Sequence, residues 1–155
     1  MRTTVKIIMT AAIMTIFSIA SNAQICVNGI EVFTKMTKEE VIAKFGEPIK
    51  CEVNDSGDNG IDVWYYYDDD SHFVFKDNCF IEFTICSNRF KVSLEGLDCD
   101  VTVGDKFSIL EPLKPVYMDW FEQNWYCVYL YNGDAKVCFE VIDGIIKCMT
   151  FTAQL

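Results

Sequence analysis

The chain has 155 residues, 51% of them hydrophobic, with 23 acidic against 13 basic side chains and a formal net charge of −10. That length suits one domain or two tightly fused small repeats. The acidity disfavours nucleic acid and anionic membrane surfaces as partners at long range; it would attract a basic protein, and it would equally keep an exported chain soluble.

Residues 1–23 set Arg2 and Lys6 ahead of an apolar run from Ile7 to Ala20 and close on the small-residue site Ser21-Asn22-Ala23. This order predicts a secretory signal peptide cleaved before Gln24, because the run is too short to span a bilayer comfortably. No second run of that kind follows, so no integral membrane segment is expected after cleavage, and the protein is expected in the periplasm or outside the cell. Gln24 and Ile25 are a poor match to the small residues that precede a lipidated cysteine, so Cys26 is not expected to carry lipid. All eight cysteines lie beyond the cleavage site, and an even count in an exported chain of this size points to disulfides. None forms CxxC, and the single histidine, His72, cannot complete a Cys/His zinc set; no redox motif, metal or other cofactor is expected.

The next segment, Thr37 to Pro48, predicts a short helix. Thr37 is a good N-cap, Glu40 can reach back to its amide to close a capping box, and Met36 and Val41 stand at staple spacing. Val41, Ile42 and Phe45 make one apolar stripe, Gly46 suits a left-handed residue past the end, and Pro48 blocks continuation. A helix of about two turns is not stable alone, so its stripe must be covered. After the polar loop 54–60 come the strand-like runs Asp62–Tyr67, His72–Lys76 and Cys79–Cys86, separated by Asp68-Asp69-Asp70-Ser71 and Asp77-Asn78, which predicts an antiparallel meander.

The second half repeats the punctuation. Thr102 and Asp105 stand at capping-box spacing, Val103, Phe107 and Leu110 share a helical face, and Glu111-Pro112 echoes Glu47-Pro48. Strands are expected at Trp125–Tyr131, Ala135–Ile142 and Ile145–Thr152, with turns at Asn132-Gly133 and Asp143-Gly144. This predicts two helix-plus-sheet units, residues 24–95 and 96–155. Two-residue turns fix a register with Tyr126, Val128, Leu130, Val137, Phe139, Val141, Ile146 and Cys148 on one apolar face, where a helix Thr102–Leu110 should pack. The other face then carries Trp125, Cys127, Tyr129, Tyr131, Lys136, Cys138, Glu140, Lys147 and Met149. Cys127 falls opposite Cys138, a spacing a disulfide accepts, so this pair is the expected bridge.

The residue groups that carry catalysis are missing. One histidine leaves no Ser/His/Asp or Cys/His arrangement except through His72, and there is no phosphate-cradling glycine loop and no HExxH. Asp68-Asp69-Asp70 reads as a solvated turn rather than a calcium site. The competing reading is a small secreted hydrolase or ligand-binding enzyme using Asp68, Asp70 and His72. The segment 115–125 instead suggests a partner surface, because Tyr117, Asp119, Trp120, Phe121 and Trp125, with Tyr129 beside them, are aromatics and an acid of the kind that suits a basic protein interface. Packing of these aromatics over the domain's own core is the alternative.

The pattern Thr-x-x-x-Val-x-x-x-Phe-Gly-x-Pro, filled by Thr37, Val41, Phe45, Gly46 and Pro48 and followed by strands, resembles the module of the SmpA/OmlA outer-membrane assembly lipoproteins. Two copies in tandem are similar to the β-lactamase inhibitor proteins. The resemblance covers most of residues 33–155, but the chain lacks the lipidation site of the first family and the cysteine number of the second. It implies an α+β fold of two tandem repeats, each a short helix packed on an antiparallel meander, forming one continuous curved sheet that meets a protein partner. The function expected from residues and resemblance together is an exported, non-enzymatic protein-binding or inhibitory module of the cell envelope, with an immunity protein against a basic toxin as a particular version.

Overall fold

The structure, a computed structural model, describes residues 25–55, 57–119, 124–130 and 135–153. The expected signal peptide and the turn Asn132-Gly133 lie outside these residues. Strands β1 (Ile25–Val27) and β2 (Ile30–Glu31) are followed by helix α1 (Lys38–Phe45), then β3 (Lys50–Asp55), β4 (Ile61–Tyr66), β5 (His72–Lys76), β6 (Cys79–Ile85) and β7 (Val92–Leu94). The chain continues through β8 (Val116–Tyr117), β9 (Trp125–Leu130), β10 (Ala135–Ile142) and β11 (Ile145–Thr152), and two 3-10 helices stand at Gly57–Asn59 and Phe107–Leu113.

Helix α1 forms for local reasons. The Thr37 amide donates to Glu40 Oε2 at 2.7 Å and the Glu40 amide to Thr37 Oγ1 at 3.3 Å, so both halves of the capping box are made. Gly46, at φ +88°, donates its amide to the Ile42 carbonyl and ends the helix. Arg89 then donates to the Phe45 carbonyl at 3.2 Å, satisfying an acceptor that the helix end leaves open. A Cβ on residue 46 would stand 2.6 Å from the Arg89 guanidinium, which would have to shift, but it is the positive φ that calls for glycine here.

The strands assemble as one eight-stranded antiparallel sheet, in the order β3-β4-β5-β6-β11-β10-β9-β8, and a separate three-stranded sheet, β2-β1-β7. The turn residues Asp77, Asn78, Asp143 and Gly144 all take positive φ, as two-residue hairpin turns demand. The chain is therefore mostly β, which corrects the expected α+β pair of helix-plus-sheet repeats. The second half holds no α-helix among the described residues. Its Asp105 carboxylate does accept from the Thr102 amide at 2.7 Å, half of the expected box. The backbone that should have closed helical turns is bonded elsewhere: the Gly104 amide donates to the Ile146 carbonyl, the Ile146 amide to the Asp105 carbonyl, and the Phe107 amide to the Gly144 carbonyl. Tied to the β10–β11 hairpin in this way, residues 102–106 cannot bond to themselves at i→i+4, and only a 3-10 helix containing Pro112 follows.

A second correction concerns register. The pairing of β9 with β10 is as read from the sequence, with Val128 opposite Val137 and Cys127 opposite Cys138. Between β10 and β11 a bulge intervenes: Val141 faces Ile146, but Glu140 faces Cys148 and Phe139 faces Met149. One extra residue turns every later side chain to the opposite face. Met149 is thereby fully buried in the core, and Cys148 leaves the apolar face to which uninterrupted pairing assigned it.

The core lies between one face of the large sheet and a cover made of α1, the small sheet and the second 3-10 helix, which contribute Val41, Phe45, Ile25, Val27, Val92, Leu94 and Leu110. Its densest part is aromatic. Phe73 has no exposed surface and lies 4.7 Å from the Phe45 ring, 4.8 Å from Phe90 and 5.6 Å from Phe80, centroid to centroid. Phe73→Ala is expected to cost about 3–5 kcal/mol, because the rigid neighbours cannot collapse into the space, whereas Thr37→Ala should cost only about 1 kcal/mol. Urea unfolding of both variants checks the difference.

Candidate binding face

Side chains alternate along each strand, so the face of the large sheet turned away from the core carries the other half of every strand. One line of residues crosses all eight strands on this face. Lys50 lies opposite Tyr66, Tyr66 opposite His72, and His72 opposite Thr84. The line continues through Thr150, Cys138 and Cys127 to Val116. In the next row Glu52 lies opposite Trp64, Trp64 opposite Val74, and Val74 opposite Glu82.

The β3–β5 end of this face is an aromatic cluster edged with charge. The Trp64 and Tyr66 ring centroids are 6.3 Å apart at an interplanar angle of 21°, and His72 stands 5.0 Å from Trp64 and 5.7 Å from Tyr66. Tyr66 donates its hydroxyl to Glu52 Oε2 at 3.0 Å, Lys50 pairs with Glu52, and the Lys50 ammonium lies 5.3 Å from the Tyr66 ring centre. Hydrogen bonds from Lys50 and Tyr66 hold the Glu52 carboxyl below its usual value. Loss of hydration, helped by Glu52, pushes the Tyr66 phenol up. His72 Nε2 lies 3.7 Å from Glu82 Oε1. An open groove of about 500 Å³, lined by Glu52, Val53, Asn54, Trp64 and Tyr66, runs along this end of the sheet.

The structure divides the partner surface expected from residues 115–129. Trp125 and Tyr129 project on the same face as the Trp64 cluster, with Glu140 opposite Trp125 and Lys136 opposite Tyr129. Tyr117 pairs instead with Tyr126 on the core side of β8, their ring centroids 5.3 Å apart. Asp119 is exposed; Trp120 and Phe121 lie outside the described residues. Met118 is buried, with its sulfur 3.7 Å from Cys138 Sγ. The Trp64 cluster itself did not enter the sequence-derived surface. The signal was present in the alternation of Asp62-Val63-Trp64-Tyr65-Tyr66, but the consecutive strand-forming residues Val63 to Tyr66 do not reveal which parity faces the core.

The cysteines and acids fall as follows. Cys127 and Cys138, the expected bridge, stand directly opposite with sulfurs 2.8 Å apart, as two free cysteines. Burial and the neighbouring Cys127 push the Cys138 thiol up. The one disulfide among the described residues joins Cys86 to Cys148. Asp68 Oδ1 accepts from the amides of Asp70, at 3.1 Å, and Ser71, at 2.6 Å, so this carboxylate holds its own turn. Partial burial alone would raise its pKa, but the hydrogen bonds from Ser71 and Asp70 outweigh this and hold it low. Asp70 is exposed, and His72 belongs to the aromatic cluster. Among the described residues no three His, Cys, Asp or Glu side chains gather as a metal site, and no helix is long and apolar enough to cross a membrane.

No family model matches the sequence, and neither does any curated protein. One solved structure, an extracellular protein containing a SCP domain from Bacillus anthracis, is similar over 79% of this chain and 44% of that one, at 13% identity and a TM-score of 0.49. The chain spans less than half the length of that protein, and a likeness this distant carries no argument about function.

Two outcomes follow from this geometry. The Cys86–Cys148 bridge closes a loop with a sequence separation of 62, so replacing both cysteines with serine is expected to cost about 4 kcal/mol on the chain-entropy account, read by urea unfolding. Asp68→Asn should destabilise the fold at neutral pH. A carboxyl whose folded pKa is depressed stabilises above its unfolded value of about 3.9, and that contribution disappears as pH falls through the folded value. The gap in melting temperature between wild type and Asp68→Asn should therefore narrow below about pH 4.

Proposed function

We propose that this protein is an exported, non-enzymatic binding module that holds a basic protein partner on the face of its eight-stranded sheet turned away from the core. The observation that carries the reading is the row of aromatic and acidic side chains on that face, Trp64, Tyr66, Glu52 and Glu82 at one end and Trp125, Tyr129 and Glu140 at the other. Tryptophan and tyrosine are among the residues from which protein interfaces draw most of their binding energy, and acids beside them add charge selectivity. The Cys86–Cys148 disulfide suits an oxidising compartment outside the cytosol, which agrees with the signal peptide expected at residues 1–23. The net charge of −10 favours encounter with a basic surface. Inhibition of an envelope enzyme and neutralisation of a basic toxin are two forms the same binding could take.

The hydrolase reading gains nothing comparable. Asp68 is engaged in its turn, and the ring of His72 is packed at a tilt between Trp64 and Tyr66, beside Glu82.

The reading is tested by capturing a partner from envelope extract with the mature protein, purifying it, and measuring its affinity for wild type, Trp64→Ala and Trp125→Ala. At least one of the two variants should bind about thirty-fold more weakly, the scale of an interface hot spot. Binding should also weaken as salt is raised from 50 to 500 mM. Full affinity in both variants, each shown to be folded, would remove the face from the interaction.

A further inference from the structure

The two edges of the large sheet differ in length and exposure. At one end β8 is two residues long. At the other, β3 runs for six residues, Lys50–Asp55, every one of them exposed, and among the described residues its outer side pairs with no strand. Sheet edges of this length are normally shortened, bulged or blocked by proline, because unpaired amides and carbonyls are a template for another strand. No proline lies in β3, and its lysine, Lys50, is already paired with Glu52.

The backbone direction of each residue in β3 follows from its neighbours. The Tyr67 amide donates to the Ser71 carbonyl and the Asp77 amide to the Ile61 carbonyl, so odd-numbered residues of β4 bond toward β5. Even-numbered residues of β4 therefore bond toward β3, where they face Lys50, Glu52 and Asn54. By alternation, Cys51, Val53 and Asp55 turn their amides and carbonyls outward, and an added antiparallel strand would find three donors and three acceptors there.

The surroundings define what kind of strand fits. Val53 is 66% exposed and Ile49 67%, so apolar side chains would be covered on the core side of the new strand. On the other side the groove lined by Glu52, Asn54, Trp64 and Tyr66 runs beside the same edge. Asp55, Asp58 and Asp62 add negative charge on β3, the following 3-10 helix and β4. We propose that the protein receives a basic, extended segment of its partner as a ninth strand along β3, with apolar residues alternating with lysine or arginine. The apolar set covers Val53, and the cationic set lies over Trp64, because Lys50 already occupies the Tyr66 ring and Glu52. A second copy of this chain is disfavoured as the occupant, because two chains of net charge −10 repel.

This inference rests on the binding-module reading, and its test separates the two. Val53→Pro removes an outward amide without breaking a bond to β4, so the fold should survive, as a melting curve will show. A seven-residue peptide alternating lysine and valine is titrated by fluorescence anisotropy against wild type and Val53→Pro, alongside its glutamate counterpart and a form N-methylated at alternate amides. The lysine peptide should bind wild type at least tenfold tighter than the glutamate peptide. Val53→Pro and N-methylation should each weaken it at least tenfold.

Charge-selective binding that neither change affects would overturn strand addition while leaving the basic-partner reading in place. No preference for the lysine peptide would overturn strand addition, and the affinity of the captured partner for Trp64→Ala and Trp125→Ala would then decide the broader reading separately. A wild-type dimer in light scattering that Val53→Pro converts to monomer would assign the edge to a second copy and overturn the proposal. Should Val53→Pro fail to fold, the N-methylated peptide still decides the question.

Discussion

The pairing of β6 with β11 is the contact on which the rest of the molecule depends. Met149 faces Ile85 and Phe151 faces Phe83 across it, all four buried, and they join a strand from the middle of the chain to one near its end. Without this seam there would be two separate meanders, each with an unprotected apolar face and one additional edge. With it there is one core, one continuous outer face, and a single long edge left at β3. The Cys86–Cys148 bridge lies at the same seam, one residue beyond the end of β6. Both the covalent and the hydrophobic links between the two halves are concentrated there.

The seam works because of a local irregularity. The bulge at Glu140/Val141 sends Cys148 outward and Met149 inward in a single step. Regular pairing would have turned Cys148 to the core side and Met149 away from it, losing an apolar side chain from the core and the partner for Cys86. Ser71 adds to the same corner: its buried hydroxyl accepts from the Cys86 amide at 3.0 Å, and its own amide donates to Asp68. Acid turn, disulfide and seam thus form one connected piece of structure. This explains why Asp68, which as a bare sequence motif suggests a ligand or a catalytic group, is occupied in holding the fold.

The same arrangement separates stability from recognition. Helix α1, the small sheet and the second 3-10 helix all pack on the core side. The aromatic side chains of the opposite face, Trp64, Tyr66 and Tyr129, are held by strands whose other faces are anchored by Tyr65, Phe73, Phe75 and Val128. A rigid sheet presenting partly exposed rings gives up little side-chain entropy on contact, which favours a binding surface built on strands over one built on loops.

What was legible in the sequence was local. The capping box of α1, its glycine stop, the turns Asp77-Asn78 and Asp143-Gly144, and the Cys127–Cys138 opposition depend on neighbours within a few residues or across one tight hairpin, so residue order alone determined them. Only the tertiary structure decided the fate of Thr102–Leu110, whose helix signals lost to backbone bonds with the β10–β11 hairpin about forty residues away in the chain. It also decided the parity of Cys148 and Met149, the Cys86–Cys148 bridge, and which of the consecutive residues Trp64, Tyr65 and Tyr66 face outward. Each of these turns on which strand lies alongside which, a choice made by burial of the whole apolar set at once. A bulge of one residue, invisible in the periodicity of either strand, was enough to reverse it.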